Sequence, residues 1–329
     1  MTLPASHSNH RALIKALAVI VFLLPGIGYT AAGLYPQHSA KLDVAINREL
    51  QLVAAEERPV PLKIFYPQTG GPYPLVVLSH GTFSSIDRYD RIANYWAAQG
   101  YVVILPQHKD ANYGVQPTSY AFMQGVAMSR AEDMSLVLDE LATLEQQLPA
   151  LAGKINHDHY VAAGHSIGTQ VAMLVTGMQF KTGYSGELMV DAEDRFAALI
   201  LVSDPGKMRL MPADTWQASN VPTFMATGTD DFGLMGKRGK SAEAQSEVLP
   251  SDARVDRYSL LLEGGDHYFG GLIQKDVDAK PDAEGLAIFN ATSSAFLDAY
   301  TKESAAAKTW LDEVDMQQAT GKRAVLEKL

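Results

Sequence analysis

Six short apolar runs, each five or six residues long, recur along this chain: Pro74–Ser79, Tyr101–Leu105, His159–Ala163, Ala197–Val202, Val221–Ala226 and Arg257–Leu262. Runs this short and this uniformly apolar fit strands covered on both faces. An earlier segment, Pro59–Tyr66, alternates as a strand does. Between the runs the spacing becomes helical. Asp87–Gln99 carries Ile92, Tyr95 and Trp96 and closes at Gly100. Ser119–Leu148 places Ala127, Ala131, Met134, Leu138 and Leu141 on one helix face, ended by Pro149. Ser166–Met178 and Ala283–Tyr300 are further helices. Alternating strands and helices predict an α/β fold, with a mostly parallel central sheet of about eight strands and helices on both faces. No linker divides the chain, so residues 33–329 are expected to form one domain, with 303–329 a polar, helical or flexible tail.

Composition narrows the chemistry. The 329 residues include no Cys, which removes disulfides, thiolate metal sites and a cysteine nucleophile. A net charge of −10 speaks against a nucleic-acid partner. No Gly-x-Gly-x-x-Gly or phosphate loop occurs, so no nucleotide cofactor is expected, nor any other cofactor. His157 and His159 form a pair without a third ligand at zinc-type spacing, so no metal is expected.

The N-terminus reads as an address. Arg11 and Lys15 precede the apolar run Ala16–Leu24, then Pro25, Gly26 and Gly28 break any helix, and Thr30-Ala31-Ala32 offers small residues for cleavage. Residues 1–32 are therefore expected to be a signal peptide or an uncleaved membrane anchor. The protein would be exported, periplasmic or secreted, or held at a membrane through residues 12–35.

In open α/β sheets ligands sit beyond the carboxyl ends of the strands. Four of those ends carry chemistry here: Ser79-His80-Gly81-Thr82, Gly164-His165-Ser166-Ile167-Gly168, Gly228-Thr229-Asp230-Asp231 and Gly264-Gly265-Asp266-His267. Gly164-x-Ser166-x-Gly168 matches a strand-to-helix elbow that exposes a nucleophilic serine, and small neighbours give the turn room. A serine needs a base, and His267 in its Gly-rich loop is the candidate. The base needs an orienting carboxylate. Asp231 is preferred, with Asp204 and Asp230 as alternatives. The oxyanion donors are expected to be the backbone N–H groups of Ile167 and Thr82, with Phe83 the alternative to Thr82. Phe83, His108, Tyr113, Tyr120, Met123, Phe232, Tyr268 and Phe269 are candidate walls of an apolar, partly aromatic pocket.

Together these segments resemble the α/β-hydrolase superfamily over roughly residues 55–300. The carrying segments are Pro74–Phe83, Gly100–Lys109, Gly164–Thr169, Val221–Phe232 and Gly265–Tyr268. Within it the chain looks most like the branch of dienelactone hydrolases, chlorophyllases, platelet-activating-factor acetylhydrolases and polyester cutinases. Ser79-His80-Gly81 matches that branch's oxyanion loop, and Arg130–Asp139 is similar to its acetylhydrolase-like members. The resemblance implies no large cap domain and two-step hydrolysis of short-acyl, lipid-like or polyester-like esters through Ser166, His267 and an acid. The acid loop of cutinases aligns with Asp231, whereas the acetylhydrolase arrangement points to Asp204. The chain departs from dienelactone hydrolase in having Ser166 in place of Cys, and from secreted cutinases in lacking disulfides. Rival readings are a serine peptidase or amidase, and an inactive binding module on the same fold.

Overall fold

The computed structural model describes residues 33–36, 41–111, 120–181, 188–189, 191–203, 215, 219–233, 236–237, 254–274 and 276–329. Its strands are β1 (Val44–Asn47), β2 (Gln51–Ala54), β3 (Arg58–Pro67), β4 (Tyr73–Ser79), β5 (Val102–Pro106), β6 (Ile155–His165), β7 (Phe180–Lys181), β8 (Leu188–Met189), β9 (Phe196–Val202), β10 (Thr223–Gly228), β11 (Phe232–Gly233), β12 (Gly236–Lys237), β13 (Arg257–Leu262) and β14 (Ala324–Lys328). The helices are α1 (Asp90–Ala98), α2 (Tyr120–Asp139), α3 (Leu141–Gln147), α4 (Ile167–Val175), α5 (Ala283–Thr301), α6 (Ala305–Glu313) and α7 (Met316–Ala319).

Ten strands form one sheet in the order β1-β3-β5-β4-β6-β9-β10-β13-β14, with β2 also paired to β3. The six strands from β5 to β13 are parallel, and every pairing outside them is antiparallel. The apolar runs are the parallel strands because both of their faces are covered. In β4, Leu75 and Val77 pack into one core with α2 and α4, while Val76 and Leu78 pack into the other with α1 and α5. Two small hairpins, β7–β8 and β11–β12, lie off this sheet.

The sheet is wider than the eight strands expected. The additions are at its edges, in β1 and β2 at one side and β14 at the other. Residues 303–329 do not run as a tail: α6 and α7 lead into β14, which pairs antiparallel with β13 from Tyr258↔Lys328 to Leu262↔Ala324. The edge of β13 supplies the partner that the sequence pattern of 324–328 does not reveal. The single long helix read over Ser119–Leu148 is broken at Glu140 into α2 and α3. Among the described residues no helix is long and apolar enough to cross a membrane. The apolar run Ala16–Leu24 lies outside them.

Candidate active site

The elbow forms where β6 turns into α4. Ser166 adopts φ 55° and ψ −124°, a left-handed conformation costly for a residue with a side chain. Its N–H is held by Val202 O at 2.9 Å, and its carbonyl accepts from Thr169 N at 3.0 Å and Thr169 Oγ1 at 2.6 Å. The turn closes only because its flanks are glycine. A Cβ on Gly164 would overlap the Gly168 carbonyl, and one on Gly168 would overlap the Ser79 carbonyl. Ser79 is in register with Gly164, so the loop after β4 starts alongside the elbow. Ser166 is 6% exposed, and its Oγ makes no hydrogen bond among the described residues.

The acid and the imidazole come from adjacent strands, β10 and β13. Asp231 Oδ1 lies 2.6 Å from His267 Nδ1, and Asp231 Oδ2 accepts from Thr227 Oγ1 at 2.7 Å. Asp231 is 1% exposed and His267 7%. The carboxylate requires the Nδ1 proton to be donated to it, which leaves the lone pair of the neutral ring on Nε2. The two loops are tied to each other: Asp230 N–H donates to Gly265 O at 3.0 Å, and Gly264 N–H donates to the Thr229 side-chain Oγ1 at 2.7 Å. A Cβ on Gly228 would overlap Gly265 O. Asp266 Oδ1 accepts from Tyr268 N and Gly270 N, each at 2.8 Å, and so shapes the histidine loop. Asp230 shares the loop of Asp231 but is exposed and has no bond to His267 among the described residues. Asp204 lies outside the described residues.

The elbow's own histidine ties the pieces together. His165 Nε2 donates to the carbonyl of His267 at 2.9 Å, and its Nδ1 lies 3.0 Å from Tyr89 Oη. Tyr89 Oη in turn accepts from Gly81 N–H at 2.8 Å. Burial, helped by the nearby His267, lowers the His165 pKa to about 3, so this ring stays neutral.

Beneath the loop after β4 lies a polar network that the sequence reading missed. Arg130, on α2, is fully buried. Its Nε and Nη2 donate to Asp110 Oδ1 and Oδ2 at 2.8 and 2.6 Å, its Nη2 to Gly81 O at 3.2 Å, and its Nη1 to His80 O. One turn on, Asp133 lies 2.8 Å from His108 Nδ1 and 2.5 Å from Arg58 Nη2. His108 Nε2 is 2.9 Å from Ser79 Oγ. Burial pushes Asp133 up to about 6, and burial followed by the Arg130 charge holds His108 well below the usual imidazole range. At neutral pH His108 is thus neutral beside an ionised Asp133, donating from Nδ1 and accepting the Ser79 hydroxyl proton at Nε2. For Asp110, burial alone would raise the pKa, but the hydrogen bonds and charge of Arg130 outweigh it and hold the carboxyl well below its ordinary value.

These positions settle where several candidates lie. The N–H groups of Thr82 and Ile167 have no partner among the described residues, whereas Phe83 N–H donates to Asp110 Oδ2 at 3.3 Å. His108, expected on a pocket wall, has a completely buried ring committed to Ser79 and Asp133. Phe269 is also a core residue, packed 5.8 Å from the Phe289 ring. Both are drawn inward by partners distant in sequence. Tyr268 stays half-buried, its ring edge-on to His267 at 4.8 Å, and Phe83 is half-buried with φ 55°. Tyr113 and the side chains of Tyr120, Met123 and Phe232 lie outside the described residues. Among the described residues no group of three or more His, Asp or Glu is placed to hold a metal; His157 instead contacts Tyr160 Oη at 3.1 Å. A sequence signal for the missed network did exist. Arg130 and Asp133 interrupt the apolar stripe of α2, and His108 and Asp110 follow a strand end.

A parallel sheet covered on both faces, with a glycine-flanked serine elbow at the end of a central strand, defines an α/β-hydrolase-type protein. The model of the chlorophyllase family matches residues 31–206, more than half of the chain, and the protein belongs to that family. The match takes in Thr82, Arg130 and Ser166 and ends before Asp231 and His267. No curated protein matches the chain.

Proposed function

We propose that this protein is a serine-dependent carboxylic ester hydrolase in which Ser166 is the nucleophile, His267 the base and Asp231 the acid. The observation that carries the reading is the 2.6 Å bond between Asp231 and His267 on loops adjoining a serine elbow. The family supports hydrolase chemistry of esterase type.

The proposed steps are those of acyl transfer through a serine. Ser166 Oγ attacks the ester carbonyl while its proton passes to His267 Nε2. Asp231 steadies the imidazolium through Nδ1. The oxyanion is received by the N–H groups of Ile167 and Thr82. His267 then gives its proton to the departing alcohol, leaving an acyl group on Ser166. Water, deprotonated by the same nitrogen, attacks that acyl carbon, and His267 returns the proton to Ser166 Oγ as the acid leaves. Half-buried Phe83 and Tyr268 beside the elbow favour an apolar acyl group, hence short-acyl, lipid-like or polyester-like esters.

Hydrolysis of p-nitrophenyl esters from acetate to palmitate, beside Ser166→Ala, tests the reading. Activity lost in the variant is the expected result, and the chain-length profile ranks the substrates. A folded wild-type protein inert on every ester, yet active on a peptide or anilide, would favour an amidase. Inertness to all of them, and to phosphonate labelling of Ser166, would favour a binding role.

A further inference from the structure

The loop His80–Phe83 is fixed group by group. His80 O accepts from Arg130 Nη1, and Gly81 N–H donates to Tyr89 Oη at 2.8 Å. Gly81 O accepts from three donors: Arg130 Nη2 at 3.2 Å, His80 Nδ1 at 2.8 Å and Ser84 N at 3.2 Å. Thr82 O accepts from Gln274 Nε2 at 3.4 Å, and Phe83 N–H donates to Asp110 Oδ2 at 3.3 Å. Thr82 N–H has no hydrogen-bond partner among the described residues.

Gly81 O and Thr82 N–H belong to the same peptide unit. In a trans peptide the two bonds point in opposite directions. Holding Gly81 O down on Arg130 therefore aims Thr82 N–H up, away from the core. Several donors on one carbonyl, one of them cationic, also withdraw charge from the amide and strengthen its N–H as a donor. His80 is part of the device. Its Nε2 accepts from His108 N–H at 3.2 Å, so its proton sits on Nδ1, facing Gly81 O. Burial, then the Arg130 charge, keeps that ring neutral.

We infer that Arg130, paired with Asp110, is a positioning residue that orients and polarises the Gly81–Thr82 peptide so that Thr82 N–H meets the developing oxyanion. This rests on the reading of Ser166 as nucleophile and Thr82 as donor. An apolar side chain of similar volume would fill the space without taking a charge out of water. It would not hold Asp110 and the His80 and Gly81 carbonyls at fixed angles, which the planar guanidinium fork does.

The test uses the full chain with two variants, Arg130→Lys and the double variant Arg130→Gln/Asp110→Asn, which removes both buried charges together. The expected result for the double variant is a kcat about tenfold to hundredfold lower with KM within about threefold, because the interaction is made only in the transition state. Arg130→Lys, keeping the charge without the fork, should fall between the double variant and wild type. Binding of a boronic acid that forms a tetrahedral adduct on Ser166 should weaken in parallel with kcat/KM, a change that a merely structural role would not produce. A folded double variant with wild-type kcat, or one whose boronic acid affinity is unchanged, overturns the inference. If neither variant folds, wild-type protein decides it: the boronic acid should protect and shift the Thr82 amide by NMR while leaving that of Phe83 unchanged, and the reverse pattern rejects the inference. Ser166→Ala run alongside separates the two levels. Hydrolysis retained there removes the underlying reading and this inference with it. Hydrolysis lost there, with wild-type kcat in the double variant, removes this inference alone.

Discussion

His165 Nε2 donates to the backbone carbonyl of His267 at 2.9 Å, so the residue before the elbow serine holds the loop that carries the candidate base. The same ring accepts from Tyr89, which accepts from Gly81 N–H. One chain of three hydrogen bonds thus joins the loop after β4, the elbow and the histidine loop. Tyr89→Phe should leave Gly81 N–H and His165 Nδ1 unpartnered in the core. The expected cost is about 1–3 kcal/mol of stability, read from urea unfolding. It should be accompanied by a lower kcat at nearly constant KM. An unaltered unfolding midpoint would show that the chain carries no stability.

The carboxylates at the end of β10 differ in environment, not in type. Asp231→Asn should lower kcat on the best p-nitrophenyl ester by about 10⁴-fold, since an amide no longer enforces the Nδ1–H tautomer. Asp230→Ala should stay within about threefold of wild type, given that the exposed Asp230 side chain has no bond to His267 among the described residues. A large loss in Asp230→Ala with little in Asp231→Asn would reverse the assignment.

Stability should fall as pH drops below about 6.5. His80 and His108 are held well below the ordinary imidazole value, and His165 at about 3, each chiefly by burial. Such depressed groups stabilise the fold above pH 6.5 and lose that contribution as the unfolded chain takes up protons. Asp133 works in the opposite sense. Raised from 3.8 to about 6, it favours the fold below pH 3.8 and loses that contribution as pH rises through 6. Between pH 6 and 4 three imidazoles gain protons on unfolding and one carboxyl releases its own. Two net protons correspond to roughly 3 kcal/mol per pH unit. Chemical unfolding at pH 7, 6 and 5 checks the slope. A flat profile would mean that these rings are charged in the folded state.

Removing Arg323–Leu329 should uncover the hydrogen-bonding edge of β13. Five residue pairs would be lost, together with the contacts of Lys328 Nζ to Asp256 Oδ1 at 2.8 Å and Asp312 Oδ1 at 3.2 Å. The expected outcome is a melting temperature lower by several degrees and concentration-dependent aggregation through the open edge. Light scattering at two concentrations distinguishes this from simple destabilisation.

The legible part of the fold is the part buried on both faces. Val76, Val103 and Ile200 announce their strands because each neighbour along the chain is apolar as well. Edge strands carry no such mark. Val44–Asn47 is only partly buried, and Ala324–Lys328 mixes Glu327 and Lys328 into an apolar start. The serine elbow could be read because its glycines are set by local backbone geometry. The Arg130 network leaves only polar residues in an otherwise apolar helix, and not the identity of its partners, since a charged side chain becomes tolerable inside only when groups 20 and 49 residues away converge on it. The preference for Asp231 over Asp230 comes from the resemblance to the cutinase acid loop; spacing alone does not tell which of two adjacent carboxylates turns inward.

The contact of Gly228 with Gly265 sets the separation of the acid strand and the histidine strand by main chain alone. Neither position offers a side chain whose exchange could widen that gap by small steps. The side chains of Phe83 and Tyr268 are half-buried and lie outside that main-chain contact. Substitutions at these two positions can therefore change the surroundings of the elbow while the spacing of carboxylate and imidazole is inherited unchanged.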